Sequence, residues 1–342
     1  MRQSREPIGA NGVGDLSGDD VAAIDRLRQA YEKLRAELAR VIVGQTDAIE
    51  QLAICFFAHQ NALLVGVPGL AKTLLVSKFA ETLSLDFSRI QFTPDLMPMD
   101  ITGTDILQDG GNGKRDFHFI RGPVFANIVL ADEINRAPPK TQAALLEAMQ
   151  EGNVTVLGKE YALPDPFMVL ATQNPVEQEG TYPLPEAQLD RFMSLIELSY
   201  PTEAEEIEIA RSTTGSELPT LDALMTVDEI LAHQQLVRRV PVPDHLYEFA
   251  AKLVRRTRPD GDSAPDWLPS LVSWGAGPRA VQSLILGAKS RAALLGSYMV
   301  RMEDLLAVAP SVLAHRLVLN FAAQSQRISA RDVVTRLLAA EQ

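Results

Sequence analysis

The spacing of apolar positions along the chain changes character twice. Between Asp19 and Arg40, apolar residues fall three or four apart at Val21, Ile24, Leu27, Tyr31, Leu34 and Leu38, which predicts an amphipathic helix. The residues before it, 1 to about 20, are polar and carry Gly9, Gly12, Gly14 and Gly18, so a disordered tail is expected there. Val43-Gly44-Gln45 then leads into a second helical stretch, Asp47 to Phe57. From about 58 to 200 the period shortens. Apolar runs near 61–66, 87–92, 127–131, 167–171 and 193–198 alternate with helical segments, the pattern of a parallel sheet covered on both faces. Beyond 201 the runs lengthen again, predicting helices Glu203–Thr213, Thr226–Arg238, Asp244–Arg256, Pro278–Leu295, Met302–Leu319 and Ser329–Glu341 with no strand between them. The expected architecture is therefore an α/β unit over 21–200 followed by a helical unit over 201–342.

Two segments interrupt the alternation. One, about Asp100 to Pro123, places Asp109-Gly-Gly-Asn-Gly113 between Ile106-Leu107 and Phe117-His118-Phe119. The other, Asn153 to Leu163, centres on Gly158. Both predict β-hairpins inserted near 100–123 and 153–163, as candidate contact elements for a partner or as loops packed on their own unit.

Candidate chemistry lies at the ends of the predicted strands. Asn61-Ala-Leu-Leu-Val65 runs into Gly66-Val67-Pro68-Gly69-Leu70-Ala71-Lys72-Thr73, and a helical stretch begins at Leu74. Such a loop wraps backbone N–H groups around phosphate oxygens, places the Lys72 cation on the outer phosphates and offers the Thr73 hydroxyl to Mg²⁺. It departs from the usual pattern at Ala71, where glycine is customary, and read alone it is also compatible with a plain strand-to-helix turn. The run Asn127-Ile-Val-Leu-Ala131 ends in Asp132-Glu133. There Asp132 would hold Mg²⁺ through its water shell and Glu133 would polarise a water for attack on the γ-phosphate. Phe167-Met-Val-Leu-Ala171 ends in Thr172-Gln173-Asn174-Pro175. Asn174 could hydrogen-bond that water or the phosphate, or simply begin an Asn-Pro turn. In Leu189-Asp190-Arg191-Phe192, Arg191 is either a partner of a carboxylate such as Asp190, a solvated charge, or an arginine finger completing a neighbour's phosphate site. Arg279 follows Gly277-Pro278 at a predicted helix start, where the helix dipole disfavours a cation unless a phosphate is near.

Taken in order, the loop 66–73, Asp132-Glu133-Ile134-Asn135-Arg136-Ala137-Pro138-Pro139-Lys140-Thr141-Gln142, Ala171 to Pro175 and Leu189 to Phe192 resemble the MoxR type of AAA+ ATPase. This type belongs to the helix-2-insert branch of AAA+ proteins, and the resemblance covers about residues 40 to 340. Members of the type tend to carry alanine where this chain has Ala71. The resemblance implies a P-loop core with a five-stranded parallel sheet sandwiched by helices, and a C-terminal helical lid. It implies ATP as cofactor, held along Gly66 to Leu74 with the adenine near Val43 and Gly44, and Mg²⁺ held by Thr73 and Asp132. Arg279 would sense the γ-phosphate of a neighbouring subunit. The hairpins would face the pore of a homo-oligomeric, usually hexameric ring that hydrolyses ATP to ADP and phosphate. Such rings act as chaperone-like remodellers with partners that carry a von Willebrand factor A domain. Arg136, one turn beyond the strand tip, is a candidate for the subunit interface.

Composition narrows the alternatives. The chain has 342 residues with Lys+Arg 32 and Asp+Glu 44, a net charge of −12. This disfavours a nucleic-acid motor, as does the thin basic content of the hairpins, with Lys114 and Arg115 in one and Lys159 in the other. No nucleic acid is expected as partner. An ATPase subunit of a metal-chelatase complex remains open, while a nucleotide-gated adaptor without turnover fits poorly with an intact Asp132-Glu133 pair. Cys55 is the only cysteine and the five histidines are scattered, so no metal beyond Mg²⁺ is supported. No apolar run reaches the length that spans a bilayer and the N-terminus has no signal-like core, which makes the cytoplasm the default expectation.

Overall fold

The computed structural model describes residues 16–109, 115–174, 180–214 and 219–340. The expected disordered tail lies mostly outside these residues, as does the hairpin tip 110–114. The helix after the tail begins earlier than expected, at Gly18. Its start is set by a capping box, in which the Ser17 side chain accepts from the Asp20 N–H and the Asp20 carboxylate accepts from the Ser17 N–H. Helix α1 (Gly18–Leu38) buries Ile24, Leu27, Tyr31, Leu34 and Leu38, the stripe its spacing predicts. Helix α2 (Thr46–Phe57) follows and is buried along most of its length.

The α/β unit then builds in chain order. Strand β1 (Ala62–Val65), helix α3 (Lys72–Thr82) and strand β2 (Phe87–Gln91) come first. The short helix α4 (Pro98–Thr102) leads into a hairpin of β3 (Gly103–Asp109) and β4 (Arg115–Arg121), paired antiparallel from Gly103↔Arg121 to Asp109↔Arg115. Strand β5 (Ile128–Asp132), helix α5 (Pro139–Glu151) and a second antiparallel hairpin, β6 (Asn153–Val156) with β7 (Lys159–Ala162), follow. Strand β8 (Met168–Gln173), the short helix α6 (Glu186–Leu189) and strand β9 (Ser194–Glu197) complete the unit.

Five strands form one parallel sheet in the order β2-β5-β8-β1-β9. All five positions of β5 are buried, as a strand covered on both faces requires. One sheet face packs with Val129, Ala131, Leu145, Leu146 and Phe192 into the smaller apolar cluster. The other face, with Ile128, Leu130 and Leu170, joins α1, α2 and the later helices in a single larger cluster. The hairpins touch through a Phe119–Tyr161 ring stack at 4.0 Å.

The C-terminal part is helical: α7 (Glu203–Thr213), α8 (Val227–Arg239), α9 (Asp244–Arg256), α10 (Pro278–Leu294), α11 (Met302–Leu313), α12 (Phe321–Ser325) and α13 (Ala330–Ala339). Two expectations are corrected here. A small antiparallel pair, β10 (Val272–Trp274) with β11 (Val318–Leu319), sits among the helices. Strands of three and two residues are too short to leave a period in the sequence. The helix expected to run from Met302 to Leu319 ends at Leu313, where the chain tightens into a 3₁₀ turn over Ala314–Arg316 before extending to pair with β10. Both corrections place Arg316 in a turn rather than inside a helix. No described helix is long and apolar enough to cross a membrane.

Candidate functional site

In a parallel sheet the crevice beyond the strands' carboxyl ends is where ligands collect. The loop after β1, the Asp132-Glu133 pair ending β5 and the Thr172–Asn174 segment ending β8 meet there. They line a cavity of about 470 Å³ that comprises Pro68 to Leu74, Arg89, Asp132, Glu133, Thr172 and Asn174. Three strand tips separated by some forty to sixty residues are thus assembled by register alone.

The loop owes its shape to two left-handed residues, Gly69 at φ 88° and Ala71 at φ 54°. Ala71 is the N-cap of α3 and caps nothing with its side chain, so the first N–H groups of that helix carry no intrahelical partner and face the cavity. A methyl-bearing residue in this conformation costs about 1–2 kcal/mol. The departure from glycine is therefore accommodated without changing the loop's course. The Lys72 ammonium donates to the carbonyls of Gly66 at 2.6 Å and Val67 at 3.0 Å, which folds it over its own loop. Desolvation pulls its pKa down, against the pull of Asp132 and Glu133, which raises it. Thr73 and Leu74 are the second and third residues of α3 and line the same cavity.

Asp132 is held on both oxygens. The Thr172 hydroxyl donates to Oδ1 at 2.6 Å, and the Arg89 guanidinium donates to Oδ2 from Nη2 at 2.6 Å and from Nε at 2.9 Å. The same Thr172 hydroxyl accepts from the Glu133 N–H at 2.8 Å. Glu133 stands at φ 57°, a strained conformation for a side-chain-bearing residue. Its Oε2 accepts from Gln91 Nε2 at 2.9 Å and from Arg136 Nη1 at 3.0 Å. Arg89 Nη2 also donates to Gln91 Oε1 at 2.6 Å, closing a chain that runs Thr172, Asp132, Arg89, Gln91, Glu133, Arg136. Below this loop, the buried Gln142 amide donates to the carbonyls of Ile134, Ala137 and Tyr182 and fixes the turn that follows Glu133. Asn174 is buried, 7% exposed, on the cavity wall.

Arg89, Gln91 and Thr172 had no role in the sequence reading. The signal for the first two is faint: on an edge strand Arg89 and Gln91 alternate with Ile90, so both point away from the face that Ile90 buries. Arg136, a candidate for the subunit interface, also reaches back to Glu133, donating from Nη1 to its Oε2.

The two remaining arginines lie elsewhere. Arg191 precedes β9, whose first residue Ser194 is in register with Ala62 at the start of β1. The phosphate-type loop follows the other end of β1, one strand length away, or roughly 13 Å at 3.3 Å per residue. Arg191 and Arg279 together line a second cavity of about 580 Å³ with Asp190, His59, Asp165 and Arg238. Arg191 Nη1 donates to the Leu146 carbonyl at 3.3 Å, and Asp190 does not pair with its sequence neighbour but with Arg279 at 3.5 Å and Arg316 at 2.7 Å. Val43 and Gly44 line a third cavity, of about 450 Å³, with Glu32, Arg35 and Glu208. The structure therefore brings together residues 68–74, Asp132, Glu133 and Asn174, and sets Arg191 with Arg279 at a distance from them.

The donors at the first cavity suit a nucleotide and its metal. Unpaired helix N–H groups and Lys72 match phosphate oxygens, and the Thr73 hydroxyl with the Asp132 carboxylate are oxygen donors of the hard type that Mg²⁺ takes.

Comparison with known proteins agrees. The family model described as the ATPase family associated with various cellular activities (AAA) matches residues 61–194, and the AAA lid domain matches residues 270–337. Chaperone MoxR1 of Mycobacterium tuberculosis is 43% identical over 307 residues, covering 90% of this chain and 80% of that protein. Protein MoxR of Methylorubrum extorquens is 32% identical over 309 residues, 86% of this chain and 89% of its own. A solved structure from Cytophaga hutchinsonii, provisionally named an ATPase, superposes with a TM-score of 0.86 at 40% identity, covering 93% of this chain and 96% of that one.

Proposed function

The chain belongs to the MoxR family of AAA ATPases, and from that premise we propose that it hydrolyses ATP to ADP and phosphate in a homo-oligomeric ring that remodels protein partners. The observation that carries the reading is the convergence of the loop 68–74, Asp132, Glu133 and Asn174 on one cavity at the strand tips. Backbone N–H groups at the start of α3 and the Lys72 ammonium would bind the phosphates, in the ground state and in the transition state alike. Thr73 and Asp132 would hold Mg²⁺, which when bound supplies charge neutralisation at the phosphates. Glu133, aimed by Gln91, Arg136 and the Thr172 bridge, would orient and polarise the attacking water, with Asn174 as its second contact. The placement of Arg191 and Arg279 at the far end of β1 favours action on a neighbouring subunit's site, and so favours a ring. A partner bearing a von Willebrand factor A domain, engaged by the two hairpins, would be the client.

Two variants test the core of this reading. Lys72→Ala should abolish nucleotide binding, whereas Glu133→Gln should bind ATP normally and stop turning it over, because one residue acts on phosphates and the other on water. Turnover by Glu133→Gln at about the wild-type rate would remove Glu133 from the chemistry. The same variant, held in its ATP state, is the bait for partner capture. Recovery of proteins without a von Willebrand factor A domain would redirect the client assignment while leaving the ATPase reading intact.

A further inference from the structure

The segment that joins α6 to β9, Asp190-Arg191-Phe192-Met193, is gripped by a residue more than a hundred positions away. Arg316 leaves the 3₁₀ turn after α11 and its side chain is 2% exposed. Its Nε donates to Asp190 Oδ1 at 2.7 Å. Its Nη1 donates to the carbonyls of Met193, at 2.9 Å, and of Val312. Its Nη2 donates to the Phe192 carbonyl at 2.8 Å, the Asp190 carbonyl at 3.3 Å and the Ser283 hydroxyl of α10 at 3.2 Å. The preceding residue, His315, meets the same Phe192 carbonyl through Nε2 at 3.0 Å. On the other side of the carboxylate, Asp190 Oδ2 faces Arg279 Nη1 at 3.5 Å. One buried cation thus holds the backbone on both sides of Arg191, and through Asp190 it also holds Arg279.

A buried ion pair is weak evidence for stability, since its desolvation offsets most of its attraction. Its geometry is another matter. An arginine fork makes several bonds in fixed directions, which a lysine cannot reproduce, and stabilising charge at a reacting phosphate depends on placement to within about half an ångström.

We propose that Arg316 is a positioning residue for the arginine pair Arg191 and Arg279: with Asp190 it locks the α6–β9 segment to α10 and α11, so that the helical lid of one subunit carries both charges to its neighbour's phosphate site as a rigid unit. A change in lid position is then transmitted to the adjacent site without a separate messenger. The inference rests on the reading that Arg191 and Arg279 act across subunits.

The test uses full-length rings and steady-state ATP turnover. Arg316→Lys keeps the charge and loses the fork. It should lower kcat by about tenfold or more while leaving KM for ATP and nucleotide affinity within about twofold of wild type, since its own loop is untouched. Mixed with Lys72→Ala subunits, it should regain turnover, because the mixed interfaces join an intact loop to an intact arginine pair. Asp190→Asn, which retains an acceptor for Arg316 and removes the charge facing Arg279, guards against misfolding of the first variant. It should show the same recovery, with assembly verified by sedimentation. The control is Arg191→Ala mixed with Lys72→Ala. If the control regains turnover and neither clamp variant does, Arg316 is structural within its own subunit and the proposal fails. If the control regains none, action across subunits is wrong and the proposal falls with it. A kcat for Arg316→Lys equal to wild type also overturns it.

Discussion

Thr172→Val is the sharpest probe of the candidate site, because valine matches threonine in shape and removes one atom's chemistry. Thr172 is completely buried. Its hydroxyl gives a 2.6 Å bond to Asp132 Oδ1 and takes a 2.8 Å bond from the Glu133 N–H. Valine deletes both. The bond to a carboxylate contributes about 1.5–3 kcal/mol, and the buried N–H left without an acceptor costs about 1–3 kcal/mol. The sum, roughly 2.5–6 kcal/mol, is a large part of an ordinary folding free energy of about 5–15 kcal/mol. The variant should fold with a clearly lowered melting temperature. The effect on turnover comes from Glu133. Its positive φ stores about 1–3 kcal/mol of strain, and the Thr172 bond is one of the contacts that hold it there. Released, the carboxylate drifts from the water it orients, and a loss of about 1.4–3 kcal/mol of transition-state stabilisation lowers kcat by roughly 10- to 100-fold. KM should move little, since the phosphates rest on the loop and Lys72. Thr172→Ser keeps the hydroxyl and loses one methyl, so it should melt about 1 kcal/mol less stably and retain kcat within about twofold. The assay is steady-state ATP turnover beside thermal melts of all three proteins. A valine variant with wild-type kcat, or a serine variant that falls as far as valine, would refute the reasoning.

Two other buried groups give predictions of their own. Burial pushes the His315 imidazole down to about 3 from its ordinary 6.5, so below pH 6.5 the unfolded chain takes up a proton that the folded one refuses; stability should fall as pH drops from 6.5 toward that value, by up to about 1.4 kcal/mol per pH unit. Melting temperatures at pH 7.5, 6.5 and 5.5 should therefore fall less steeply for His315→Gln than for the wild type, and parallel slopes would show that His315 does not set the dependence. Burial likewise raises the Cys55 thiol to about 12, so it should resist a disulfide thiol reagent at neutral pH in the native protein and react stoichiometrically once the chain is unfolded in guanidinium.

The strands were legible because a strand buried on both faces is apolar along its run, and Ile128 to Ala131 of β5 and Met168 to Ala171 of β8 read that way. Lys72, Asp132, Glu133 and Asn174 were legible for a related reason: each sits where an apolar run stops, and a parallel sheet delivers all its strand ends to one crevice. What the sequence did not disclose is which carboxylates are shared. Arg89 reads as a solvated residue on an edge strand, yet it bonds Asp132 across 43 positions. Arg316 reads as a charge near the end of a helix, yet its carboxylate partner lies 126 positions away. Neither pairing leaves a local period, because each depends on a register or a helix end fixed by the rest of the fold. Asp190 makes the point most clearly: adjacency in sequence nominates Arg191 as its partner, and the three-dimensional chain gives it Arg316 and Arg279 instead. Among the described residues, that exchange leaves the Arg191 side chain with a 3.3 Å bond to the Leu146 carbonyl and no carboxylate partner, so its backbone does most to hold it in place. Such a hold suits a finger, since a guanidinium in a tight salt bridge would first have to be released before it could meet a phosphate.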